Sequence, residues 1–200
     1  MDYISVGAKM VSILLKGAYS KHMEWKFERL EERARLGGMS IEDLIASDDR
    51  FAVFMRVARA FEHCSNKEVV DFLTDAMIGS IKSGDLEDKP DFVQMAISAL
   101  SGITKTELYI LSAMHRHQVY LDMPVTANNQ ENRESFIKDC EETLGIESDM
   151  LSAITNGLVR TSLVTNESPG LSGAVQNSNS LSPLARELFS YINLARRLTE

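Results

Sequence analysis

Helical periodicity, interrupted by capping residues and glycines, is the feature that most constrains how this chain folds. Apolar residues recur every three or four positions through most of the sequence, and no run in the first half alternates apolar and polar residues as a strand does. Ser40, Asn66 and Thr104 stand where helix N-caps stand, and Gly84 and Gly145 stand where helices end. The pattern predicts a mainly α protein.

Residues 1–102 are predicted to form a helical bundle that opens with one long amphipathic helix. That helix runs roughly from Tyr3 to Leu36, and a Gly-Gly pair ends it. Shorter helices follow, and the charged segment from Asp85 to Lys89 is predicted to be a loop between two of them. Pro90 suits the first turn of the next helix.

Residues 103–200 are predicted to form a second domain with a different pattern. Three helical stretches are divided by a polar linker, from Met123 to Gln130, and by Gly145. A β-like run from Leu158 to Thr165 follows them, and the Ser-, Gly- and Asn-rich segment 166–180 is predicted to be a loop. A closing helix then begins at Pro183.

Charge and cysteine content narrow the function classes. The net charge is -8 and both halves of the chain are acidic, so no general electrostatic attraction to nucleic acid is expected. Cys64 and Cys140 are too few for a disulfide framework and are predicted to be reduced thiols. The sequence has neither a run of about 18 apolar residues nor a secretion signal, so a cytoplasmic location is expected.

The motifs of catalysis and of cofactor binding are missing from the sequence. It has no phosphate-binding glycine loop and no nucleophile elbow, so we predict that the protein is not an enzyme and holds no cofactor. His63, Cys64, His115 and His117 lack the spacing of zinc ligands, and no metal site is predicted.

Two acidic residues on one predicted helix deserve a separate interpretation. Asp71 and Asp75 lie four residues apart and share a helix face, as paired carboxylates for a metal or for acid–base chemistry would. We interpret them as a solvated face, with Lys67 four residues before Asp71 as an ion-pair partner.

Three phrases in the second domain carry a family resemblance. They are ITKTEL at 103–108, ITNGLVRTSLV at 154–164 and LSPLARELFSYI at 181–192. The second contains a hydrophobic-x-x-G-L-V step and the third an L-S-P-x-A-R-x-L phrase, with Ala185 where glycine is frequent. In these phrases the domain resembles the bacterial winged helix, a helix-turn-helix variant with a β-hairpin after its third helix. The resemblance implies one short β-hairpin in an otherwise helical domain.

The resemblance also implies a candidate interface on the third helix, which in DNA-binding relatives lies in the major groove. The side chains that would face bases or phosphates are Ser152, Thr155, Asn156 and Arg160. Two carboxylates, from Glu147 and Asp149, would stand beside them and repel phosphate. We therefore expect the module to dock a protein, with a DNA-binding transcriptional regulator as the alternative.

A second resemblance concerns the whole chain. The layout and phrasing around Asn66 to Leu111 resemble the helical bacterial proteins labelled abortive infection alpha, which pair a helical front with a similar closing module. This resemblance implies a bacterial or phage-encoded regulatory protein with a role in phage defence.

The N-terminal helix supports a further alternative. From Tyr3 to Phe27 it carries four lysines on its polar side and aromatic residues near one end, as helices on anionic membranes do. Lys9, Lys16 and Trp25 would form such a membrane or oligomer face. Packing against the following helices, or against a second copy of the chain, is the interpretation that we favour.

Overall fold

The computed structural model describes residues 21–120, 127–167 and 178–199, and its architecture is mainly α, as predicted. Within these ranges the chain forms ten α-helices, one 3-10 turn and a two-stranded antiparallel hairpin. Two compact units are present. The first comprises the chain up to Ile103 together with the chain from Leu188 onward, and the second comprises Thr104–Glu187. The predicted division instead kept all of 103–200 in one domain.

The first unit is a helical bundle. Its elements are α1 (Lys21–Leu36), α2 (Ile41–Leu44), α3 (Asp48–His63), α4 (Lys67–Ser83), α5 (Asp85–Asp88), α6 (Pro90–Ala99) and the later part of α10 (Pro183–Thr199). Residues 1–20, which hold most of the predicted long N-terminal helix, lie outside the described residues.

Helix α4 forms the centre of this bundle, where it packs against α1, α3 and α6. Its apolar residues, such as Leu73 and Met77, are buried. Burial extends around nearly the whole helix and includes the polar residues Thr74, Asp75 and Ser80. The hydroxyls of Thr74 and Ser80 donate to backbone carbonyls one turn earlier, which satisfies them without solvent.

The segment predicted as a charged loop is helical, so that prediction was wrong. Asp85–Asp88 forms the short helix α5 directly after Gly84, whose φ of 83° is the left-handed conformation that ends α4. Leu86 is fully buried, and Lys89 lies 3.2 Å from the Asp85 carboxylate one turn before it. Burial of Leu86 thus stabilises a helical turn that the charged residues around it do not predict.

The second unit contains three helices, a hairpin and the start of the closing helix. Its elements are α7 (Lys105–Arg116), α8 (Ala127–Leu144), α9 (Ser148–Leu158), a 3-10 turn (Val159–Thr161), β1 (Val164–Glu167), β2 (Ser178–Leu181) and the first residues of α10. Helix α8 packs against both α7 and α9. The N-cap predicted at Thr104 is present at the start of α7 and is part of a capping box, because Thr104 and Glu107 each accept a backbone N–H of the other.

Two predicted boundaries in this unit were wrong. The linker predicted to reach Gln130 ends earlier, since α8 begins at Ala127. The β-like run predicted from Leu158 begins as helix and 3-10 turn, and strand starts only at Val164. Leu158 completes the buried stripe of α9, seven residues after Leu151, so packing extends the helix past the point where β-propensity rises.

The hairpin pairs β1 with β2 in antiparallel register, with Val164 opposite Leu181. Tyr120, just after α7, forms an isolated bridge with Leu181, and the Leu181 N–H donates to the Val119 carbonyl at 2.8 Å. The closing helix α10 begins at Pro183 as predicted, and Ser182 caps it, since its hydroxyl accepts the Ala185 N–H at 3.2 Å. Residues 168–177 of the predicted loop lie outside the described residues.

Two further features bear on function class. Among the described helices, none has the length and apolar content needed to cross a membrane.

Cys64 and Cys140 are both buried free thiols, and burial raises the pKa of Cys140 to about 12.

Candidate functional site

Helix α9 is the element that the sequence singled out as an interface, and its inner face is well anchored. Leu151, Thr155 and Leu158 recur at helical spacing and are buried. The Thr155 hydroxyl donates to the Leu151 carbonyl at 2.7 Å, within the helix itself. These three residues hold α9 against its own unit and leave the opposite face outward.

One side of the outer surface of α9 is apolar. Met150 lies three and four residues before Ala153 and Ile154, and Gly157 lies four and three residues after them, which places all four along one side of the helix. Met150 is 56% exposed, Ala153 and Gly157 are exposed, and Ile154 is half-buried. We call these four residues the docking face.

Acidic residues border the docking face at the N-terminal end of α9. Glu147 is the N-cap residue and Asp149 lies in the first turn, and both are exposed. Helix α9 contains no lysine or arginine. The surface therefore combines exposed apolar atoms with negative charge at one end.

The structure distributes the four predicted base-facing residues among different environments. Ser152 and Asn156 are exposed, whereas Thr155 is buried. The Asn156 side-chain oxygen accepts a hydrogen bond from the Asn179 amide at 2.9 Å, which links α9 to the hairpin. Arg160 lies in the 3-10 turn after the helix.

Arg160 is engaged within its own unit. Its guanidinium lies 2.7 Å from the Glu107 carboxylate and also donates to the Gly157 carbonyl at 2.7 Å. Burial by itself raises the pKa of Glu107, but the Thr104 backbone N–H and the Arg160 guanidinium outweigh it and hold that pKa below its usual value. A phosphate would have to compete with this carboxylate for Arg160.

A second polar cluster of this unit gathers around Asp139 on α8. The carboxylate accepts hydrogen bonds from the Tyr109 hydroxyl and Arg116 guanidinium, both at 2.7 Å, and pairs with the His117 ring at 2.9 Å. The Arg116 hydrogen bond is the main reason that the pKa of Asp139 lies far below its usual range. Each partner is engaged by the same carboxylate, so the cluster fastens α7 to α8.

Two of the histidines considered as metal ligands, His115 and His117, have different partners in the structure. His115 is hydrogen-bonded to the Tyr120 hydroxyl, and His117 is paired with Asp139. Burial lowers the pKa of His115. Within residues 21–120, 127–167 and 178–199, no three His, Cys, Asp or Glu side chains cluster as metal ligands do.

In the first unit, Asp71 and Asp75 do not form a solvated face, so that interpretation was wrong. Asp71 receives both a 2.7 Å and a 3.0 Å hydrogen bond from Arg29, and Asp75 receives one of 2.6 Å from Arg33. Arg196, on α10, lies 3.3 Å from Asp75. Sequence reasoning missed the arginines, although Arg29 and Arg33 share the four-residue spacing of the two carboxylates and so face them across two packed helices.

The residues proposed as a membrane or oligomer face are only partly described. Lys9 and Lys16 lie outside the described residues, and Trp25 is half-buried. Lys26, expected on the polar side of the same helix, is instead buried, and its ammonium donates to the Phe61 carbonyl and, at 2.5 Å, to the Cys64 carbonyl. It thereby satisfies carbonyls at the end of α3.

Comparisons of the chain with protein-family models, with curated proteins and with solved structures found no match.

Proposed function

We propose that the protein is a non-enzymatic interaction and regulatory protein that docks a protein partner through the docking face. The observation that carries the proposal is the exposed stripe Met150, Ala153, Ile154 and Gly157, on a helix that has no basic residue. Exposed methionine adapts its shape to apolar partners. The acidic end of α9 adds a preference for a partner helix that carries lysine or arginine beside its apolar residues.

The element order supports a winged-helix-like reading of the second unit. Three helices precede a hairpin and a closing helix, and the chain after α7 bridges to the hairpin at Leu181. In such a module α9 occupies the place of the recognition helix. The proposal includes a bacterial or phage-encoded, cytoplasmic protein with a role in phage defence, as the second resemblance implies.

Three features favour docking over DNA reading. Thr155 is buried and Arg160 is paired with Glu107, so two of the four candidate contacts to DNA are engaged elsewhere. Glu147 and Asp149 place negative charge beside the side of α9 that would face the major groove of DNA. The protein as a whole is also acidic, with a net charge of -8.

Site-specific photo-cross-linking tests this function. A photoreactive amino acid at position 150 is compared with one at position 95, because Met95 is similarly exposed, at 50%, but lies on α6. We expect position 150 alone to cross-link a protein segment that combines apolar and basic residues, and Glu147→Lys with Asp149→Lys to abolish it. Equal cross-linking at both positions would contradict the proposal.

A parallel titration tests the alternative. Labelled random duplex DNA is titrated with the purified protein at low and at moderate salt, and its fluorescence anisotropy is followed. Flat anisotropy at low salt is the expected result. Binding that collapses with salt and weakens in Arg160→Glu would overturn docking in favour of a DNA regulator.

A further inference from the structure

The docking face is bordered by charge at both of its ends, and the two charges have opposite sign. Glu147 and Asp149 lie at the start of α9 and are exposed. Arg160 lies in the 3-10 turn just after the helix, and a Cβ atom on Gly157 would lie 3.8 Å from its guanidinium. The guanidinium therefore borders the docking face beside Gly157, at the end opposite to the carboxylates.

The contacts of Arg160 within its own unit leave much of this side chain at the surface. One terminal nitrogen donates to the Gly157 carbonyl and the other to the Glu107 carboxylate, both at 2.7 Å. A guanidinium has five N–H groups, and 52% of the Arg160 side chain remains exposed. Arg160 can therefore keep its contact with Glu107 and also meet an acidic group of a partner.

The acidic and the basic end share one side of the docking face. A stripe of residues at steps of four, three and four joins them, and it consists of Asp149, Ala153, Asn156 and Arg160. Two copies of a helix that pack antiparallel about a two-fold axis place such a stripe beside itself in reversed order. The acidic start of each stripe then lies against the basic end of the other.

The apolar residues of the docking face suit the same arrangement. Met150 and Gly157 lie seven residues apart, so an antiparallel pair sets the methionine of each helix opposite the glycine of the other. Met150 is 56% exposed, and the space that a Cβ atom would fill at Gly157 is open. A flexible side chain thus faces a gap that it can fill. The midpoint between Met150 and Gly157 lies one residue from the midpoint between Asp149 and Arg160, so one two-fold axis near Ile154 serves both contacts.

We propose that the docking face binds the docking face of a second copy of the chain, with the two α9 helices antiparallel. The inference rests on the proposed docking function and names its partner, since each copy presents apolar residues with an arginine beside them. The face is small, and two copies with a net charge of -8 repel each other at long range. The expected product is therefore a weak, reversible dimer.

Charge exchange tests the pairing by sedimentation velocity of the full-length chain. Asp149→Lys and Arg160→Glu each set like charges against one another, and we expect each variant alone to associate about tenfold more weakly than the wild type. An equimolar mixture of the two should recover association, because both contacts of the mixed dimer then join opposite charges. Glu141→Lys and Lys138→Glu change exposed charges on α8 and serve as matched controls, which should associate as the wild type does.

A disulfide test measures the register without altering the contact between Arg160 and Glu107. A mixture of Met150→Cys and Gly157→Cys chains should form a disulfide-linked dimer under mild oxidation, because the antiparallel pair sets these positions opposite each other. Met150→Cys alone should not, since its two copies would lie about 10 Å apart along the helix direction. The native cysteines are buried and do not contribute.

Three results would overturn the inference. They are wild-type chains that remain monomeric, charge variants that associate no better mixed than alone, and a disulfide that forms in Met150→Cys alone but not in the mixture with Gly157→Cys. A monomeric wild type that still cross-links another protein through position 150 would remove this partner and leave the proposed docking function standing.

Discussion

Gly79 lies so close to Tyr191 that a Cβ atom at this glycine would be 1.9 Å from the Tyr191 carbonyl oxygen. The two residues belong to α4 and α10, which approach backbone to backbone at this point. Seven residues before Gly79 and two before Tyr191, the rings of Phe72 and Phe189 meet edge to face at 5.8 Å. The stretch of α10 around Phe189 and Tyr191 is therefore a packed part of the first unit.

Replacing Gly79 with alanine is expected to destabilise this unit by about 2 kcal/mol or more, because the clash involves backbone that cannot rotate away. Urea unfolding followed by circular dichroism measures the loss. Gly157→Ala is the control, since its nearest contact is 3.8 Å and alanine favours helix, and it should leave stability unchanged or slightly raised. Equal stabilities for the two variants would contradict the close approach.

The paired arginines of α1 allow a comparison of a buried and a partly exposed ion pair. Arg33→Met removes the arginine whose positive charge lies against the fully buried Asp75 carboxylate. We expect a loss of about 3 kcal/mol in the free energy of unfolding at pH 7. Arg29→Met should cost less, because the Asp71 side chain that it leaves behind keeps 18% of its surface in water.

The cost of Arg33→Met should also depend on pH. Burial raises the pKa of Asp75 even with both arginines in place, so this carboxyl holds its proton more tightly in the folded protein than in the unfolded chain. The contribution of the Asp75 carboxyl to the free energy of unfolding is present below its ordinary pKa. It is lost as the pH rises through the pKa that this carboxyl has in the folded protein. Chemical denaturation at pH 5 and pH 7 should therefore show the smaller cost at pH 5. A cost that grows toward acid would contradict this assignment.

Asp139 is expected to give the opposite pH dependence. Its pKa is depressed, mainly by Arg116, so its contribution is present above the ordinary pKa of 3.8 and is lost as the pH falls toward the folded pKa. Asp139→Asn should cost about 2 kcal/mol at neutral pH, and the difference from wild type should narrow in acid. Lys138→Gln, in an exposed pair on the same helix, should change little at either pH. A stability difference that is constant from neutral to acid pH would argue against this role of the Asp139 cluster.

The two cysteines are predicted to be unreactive in the native protein. Both thiols are buried, and burial raises the pKa of each, that of Cys140 to about 12. Neither thiol is therefore accessible or ionised at pH 8. A thiol-specific disulfide reagent should label neither cysteine until urea is added, and should then label both. Met150→Cys provides the positive control, because position 150 is exposed. Fast labelling of the wild-type chain would show that one of the burial assignments is wrong.

The order of helices was determined by the sequence alone, because helix signals are local. A cap and a first-turn proline lie within or beside one element, so Thr104 predicted the start of α7 and Pro183 the start of α10. The prediction failed where burial overrode local preference, as when Leu86 turned a charged segment into helix and Leu158 extended α9.

Only the tertiary structure decided which polar side chains are paired and which face of α9 remains outside. Arg29 and Asp71 are 42 residues apart in the chain, and Glu107 and Arg160 are 53 apart. No periodicity within one helix specifies such pairs, since they depend on how helices pack against one another. The same packing buries Thr155 and leaves Met150 exposed, which is why the apolar docking face emerged from the fold and not from the sequence pattern.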